Sequence, residues 1–101
     1  STTGLMDVAL PAEDHALVLA ILARYRENGV DFHALRTRES GARRFVDLHV
    51  LVPGHWTIQR GHELAERLEH DIRQALPRCA VMTHLEPLED PVSQEDIALD
   101  R

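Results

Sequence analysis

The sequence is short of several things, and each shortage excludes a class of protein. It has one cysteine, Cys79. A single thiol gives no disulfide framework, no C-x-x-C redox pair and no cysteine-rich zinc motif, and it suits a reducing compartment. Basic residues form no run or stripe, and the net charge is −6. Nucleic acid is therefore a poor partner, because phosphate binding needs clustered Lys and Arg. The longest apolar run, Ala16 to Ala23, is far below the roughly 20 residues that cross a bilayer. No signal-peptide pattern is visible. There is no Ser or Cys nucleophile beside a base, no glycine-rich phosphate loop and no paired-carboxylate cleft, so nothing points to an enzyme.

What remains is a soluble composition of ordinary apolar content, enough for one small domain in 101 residues. Its unusual feature is histidine, which occurs seven times.

Pro11 suits the start of a helix, where its missing N–H costs nothing. Glu13 and Asp14 favour the positive end of the helix dipole. The pattern predicts a helix to about Asn28, stopped by Gly29. Its middle is apolar nearly all round, which predicts burial on two sides, the second by another subunit. Val30 to Arg38 and Arg43 to Val52 read as strands. Ser40-Gly41-Ala42 makes a short hairpin loop between them. Thr57 is a candidate N-cap, and Ile58 to Leu76 reads as a helix with one stripe of Leu64, Ala65, Leu68, Ile72, Ala75 and Leu76. After Pro77 a third strand runs from Cys79 to Leu85. The order α-β-β-α-β gives an α+β fold. A right-handed strand–helix–strand connection sets the third strand parallel to the second, so the sheet is mixed, with both helices on one face.

A turn centred on Gly41 pairs residues whose numbers sum to 82, so His33 faces His49. Val46, Leu48, Val50 and Val52 form an aliphatic face of the second strand. His49 therefore lies on the face away from the helices. His84 and Glu86 share one face of the third strand, since side chains alternate with period two. Imidazoles and a carboxylate on neighbouring strands suit a four-coordinate Zn²⁺ site. The bland alternative is that each strand histidine is a half-buried residue with one hydrogen bond. His62 sits on the flank of the second helix's apolar stripe. His70 and His55 read as solvated surface.

The segments LMDVALP, FHALRTRESGARRFVDLHV, GHELAERLEHDI and VMTHLEP, spanning residues 5 to 87, carry a family resemblance. The sequence resembles the cytoplasmic C-terminal domain of cation diffusion facilitator transporters, which export zinc, iron and other divalent metals. That resemblance implies a metallochaperone-like (ferredoxin-like) sandwich that forms a homodimer and binds metal at the dimer interface. Its ligands would be His33, His49, His84 and Glu86, with His62 contributed by the facing subunit. Zn²⁺ is the implied ion, with Fe²⁺, Mn²⁺, Co²⁺ and Cd²⁺ as alternatives. Glu86 stands where the family's zinc transporters usually carry Asp, and its extra methylene moves the carboxylate outward. Residues 1–10 would be a linker from the transmembrane domain, 11–87 the regulatory and dimerisation domain, and 88–101 an acidic flexible tail. The domain would lie on the cytoplasmic side of the cell membrane and regulate transport. The alternatives are a purely structural dimerisation module or a free-standing metallochaperone-like metal carrier.

Overall fold

A computed structural model of the chain describes residues 8–90. Helix α1 spans Ala12–Arg26, strand β1 Asp31–Ser40, strand β2 Arg43–Val52, helix α2 Ile58–Ala75 and strand β3 Cys79–Pro87. Pro11 is the N-cap of α1 rather than its first helical residue, and its carbonyl accepts from the Asp14 and His15 N–H groups, each at 3.0 Å. The helix ends two residues short of the expected Asn28, and a turn leads to Gly29 at φ +79°. In α2 the Thr57 hydroxyl caps the Arg60 N–H at 3.1 Å. The strand β3 continues two residues past the expected Leu85.

The three strands are ordered β1-β2-β3. Strand β2 is central, antiparallel to β1 and parallel to β3. Val46, Leu48, Val50 and Val52 are all buried, together with Val18, Ile21 and Leu22 of α1 and Leu64, Leu68 and Ile72 of α2. These residues form one core between the sheet and the two helices. Within the single chain α1 is covered along one stripe only, and Leu17 and Leu19 stand exposed.

The hairpin reaches the expected register by an unexpected route. Near the turn Ser40 pairs with Arg43 and Arg36 with Asp47, numbers that sum to 83. The loop is thus the two residues Gly41-Ala42, with Gly41 at φ +60°, as in a turn whose first central residue is glycine. Between His33 and Arg36 the register shifts by one residue. Beyond that bulge His33 faces His49 and Phe32 faces Val50. Ala34, inside the bulge, takes φ +56°. The extra residue swaps the faces of β1. It turns Phe32 into the core, where it is 5 % exposed, and turns His33 to the other face.

Residues at both ends are tied to this frame. Val8 and Glu39 exchange backbone hydrogen bonds at 2.9 and 2.7 Å, and Leu10 is buried. Leu88 donates to the Val52 carbonyl at 2.8 Å, and the Glu89 carboxylate accepts from the Gly54 N–H. The rest of the expected linker and tail, 1–7 and 91–101, lies outside the described residues.

Candidate metal centre

His33 comes from an outer strand, His49 from the central strand and Glu86 from the other outer strand. Strand spacing puts the two outer strands roughly 9.5 Å apart, so the Glu86 side chain must reach across β2 to meet His33. It does so. One carboxylate oxygen, Oε2, lies 3.0 Å from His33 Nε2 and 3.0 Å from His49 Nδ1. The two imidazole rings meet edge to face, with centroids 4.6 Å apart. The His33 side chain is nearly sealed at 1 % exposure, whereas His49 and Glu86 are about one-third and one-quarter exposed (32 % and 26 %). The site therefore has a closed floor and an open mouth.

This donor set fits a divalent ion. The three ligand atoms lie within 4.8 Å of one another. A tetrahedral ion with bonds of about 2.0–2.2 Å needs donors roughly 3.3 Å apart, close to the two 3.0 Å separations here. Two imidazole nitrogens and a carboxylate oxygen also suit Zn²⁺ and its neighbours in the first transition row. With both histidines neutral, each donates its N–H to the shared oxygen. The carboxylate thus holds both rings with the same nitrogens facing inward that an ion would take.

His84 is beside this cluster but not inside it. It pairs across the sheet with His49, and their rings stack with centroids 5.1 Å apart. His84 is exposed, and with Ala34, Arg36, Asp47, Leu48 and His49 it lines an open depression of about 300 Å³. His62 is exposed on α2, and its Nε2 meets the Glu66 carboxylate one turn later. The single chain does not bring it to the cluster. His55 and His70 are exposed, and His15 makes a 3.2 Å hydrogen bond to Thr37.

The residue overlooked in the sequence is Ala34. Its signal was present: the apolar positions Val30 and Phe32 are even-numbered, and Leu35, which also packs against the core, is odd-numbered. A change of parity within one strand marks a bulge.

The family model for the cytoplasmic domain of cation efflux proteins matches residues 10–88. The chain is 47 % identical over 91 residues to an uncharacterized transporter of Synechocystis sp., covering 90 % of this chain and 29 % of that protein. It is 33 % identical over 86 residues to the cation-efflux pump FieF of Pectobacterium atrosepticum, covering 84 % of this chain and 28 % of the pump. The chain thus spans less than a third of the length of these relatives. The structure of CzrB in its Zn form is 35 % identical with a TM-score of 0.64, covering 81 % of this chain and 93 % of that one. The metal-bound C-terminal domain of CzcD from Thermotoga maritima shares the fold at 23 % identity and a TM-score of 0.70, covering 78 % of this chain and 92 % of that one. With residues 10–88 matched and the α-β-β-α-β frame in place, the chain belongs to the cytoplasmic-domain family of cation efflux proteins, the cation diffusion facilitators.

Proposed function

We propose that the chain is the metal-sensing, dimerising domain of a divalent-cation efflux transporter, held on the cytoplasmic side of the membrane. The observation that carries this reading is the Glu86 carboxylate set between His33 and His49. His33, His49 and Glu86 would hold the ion. His84, stacked on His49, is placed to supply a further donor by rotating its exposed side chain, and His62 of a second copy would complete the set at the dimer interface. Zn²⁺ is the favoured ion, with Fe²⁺, Mn²⁺, Co²⁺ and Cd²⁺ as competitors for the same nitrogen and oxygen donors. Metal regulates transport in this scheme by favouring one arrangement of the two domains. That requires it to bind the closed arrangement better than the open one.

Two measurements test the proposal. Residues that only hydrogen-bond to a metal's ligands already change metal affinity by about 10–100-fold, so removing two ligands should cost more than that. The His49→Ala, His84→Ala double variant is expected to lose over about a hundredfold in zinc affinity in a chelator competition assay. An unchanged affinity would rule the site out. Protons compete with metal for imidazole nitrogens, so zinc affinity should also fall as pH drops below about 6.5.

The exposed Leu17 and Leu19 of α1 favour a second reading, a structural dimerisation module without specific metal binding. It predicts a dimer by sedimentation that is unaffected by zinc or chelator.

A further inference from the structure

The fold gathers arginines that the sequence scatters. Arg43 and Arg44 open β2, Arg78 directly precedes β3, and the pairing of Arg44 with Cys79 sets these segments side by side. With Phe45, Cys79 and Ala80 the three arginines line an open depression of about 460 Å³ at the hairpin end of the domain. Arg44 is held in place: its guanidinium donates to the Pro77 carbonyl at 2.9 Å and lies 3.7 Å from the Asp14 carboxylate. Arg43 and Arg78 are exposed. Among the described residues neither has a carboxylate within ion-pair distance. Arg78 also sits at φ +55°, a left-handed position where glycine is the unstrained residue.

The position of this depression matters as much as its charge. Val8 joins the sheet through Glu39, beside the hairpin, so the described domain begins at this end. In the membrane-tethered reading above, the arginine end therefore faces the bilayer. Glu86, Glu89 and Asp90 lie at the opposite end, by Leu51, Val52 and Gly54. The arginine end also carries acidic groups: Asp14 lies 3.7 Å from Arg44, and Glu39 pairs with Arg44 across the hairpin, so among the described residues the unpaired positive charge there is that of Arg43 and Arg78.

We infer that this depression docks the phosphodiester headgroups of anionic phospholipids. Guanidinium groups match phosphate oxygens in shape and charge. Phe45 and Ala80, which line the same depression, place apolar surface beside the phosphate, where the first methylenes of the acyl chains would lie. A basic residue close to an anionic surface strengthens binding about fivefold. The inference rests on the tethered reading for its orientation, but not on metal binding.

Flotation of the purified chain with vesicles tests it. At low salt the chain is expected to float with equimolar phosphatidylcholine and phosphatidylglycerol, and not with phosphatidylcholine alone. High salt should abolish the binding. Arg43→Gln combined with Arg78→Gly should lower partitioning about 25-fold. Arg67→Gln, an exposed α2 position outside the depression, should change it by less than about twofold, because the removed charge lies away from the surface contact. Arg78→Gly should keep or raise the melting midpoint, since its backbone favours glycine, so lost binding would not mean a lost fold. Failure of the wild type to bind mixed vesicles, or equal binding by the double variant, overturns the inference. So does saturable binding of inorganic phosphate without vesicle binding, which would make this a soluble-anion site. Zinc titration of the double variant, expected to match wild type, keeps this result separate from the metal reading.

Discussion

Glu86 meets two imidazoles with a single oxygen, and its length lets it do so from the far strand. Replacing it with Gln removes the charge while keeping the size. The account predicts at least about a tenfold loss of zinc affinity, measured by competition with a chromophoric chelator. A second residue-scale case is Tyr25, whose hydroxyl donates to Asp71 at 2.5 Å and ties α1 to α2. Burial, then the hydrogen bond and charge of Asp71, push its pKa from 10.0 up to about 12. The folded chain thus holds the phenol proton more tightly than the unfolded chain. The resulting stability is fully present below pH 10 and is lost as pH rises from 10 toward 12. Tyr25→Phe should cost about 1 kcal/mol at neutral pH, a low value because the pair is half-exposed. Denaturant unfolding between pH 7 and pH 11 should show that gap to wild type closing. A gap that stays constant or widens would contradict the assignment. Burial also pushes up the Cys79 thiol, so the difference between the two proteins, rather than either curve, isolates the phenol.

The β1–β2 hairpin sets the geometry at the scale of the element. Its bulge lets a two-residue turn coexist with His33 facing His49. The pairing expected from the sequence was right, but the turn was not centred where symmetry about Gly41 placed it. Two displacements of one residue cancelled. Strands, helices and the aliphatic face of β2 were legible because burial leaves a periodic pattern in one stretch of chain. The bulge left only a change of parity between Phe32 and Leu35. The separation of His84 from the cluster left no pattern, because side-chain reach and rotamer set it. Two variants test the bulge. Ala34→Gly relieves a left-handed alanine and should stabilise the chain by about 1 kcal/mol in denaturant unfolding. Deleting Ala34 removes the extra residue and leaves an unbroken ladder, with His33 still opposite His49 and Arg36 opposite Asp47. The deletion should therefore keep its zinc affinity within about threefold, well short of the roughly tenfold or greater loss expected when a ligand is displaced. A loss of about tenfold or more would mean that the local kink of the bulge, and not the register alone, positions His33.

At the scale of the whole molecule, the proposed function requires contacts between copies and with a membrane. The exposed Leu17 and Leu19 of α1 and the placement of His62 away from the cluster both leave a role for a second subunit. The sequence pointed to that role through the apolar surround of α1, but an interface between chains leaves no register to read in one of them. The proposed function turns on whether His33, His49 and Glu86 form a metal site rather than a polar knot that merely holds the sheet together. Calorimetric titration of Zn²⁺ into chelator-stripped protein at pH 7.5, in a buffer that does not bind metal, tests this most directly, at a pH about one unit above the ordinary imidazole pKa. The account predicts saturable binding of at least one ion per chain, lost in a His33→Ala, Glu86→Gln variant. Heat no greater than that of scattered surface histidines, equal in wild type and variant, would contradict it and leave the cluster as packing.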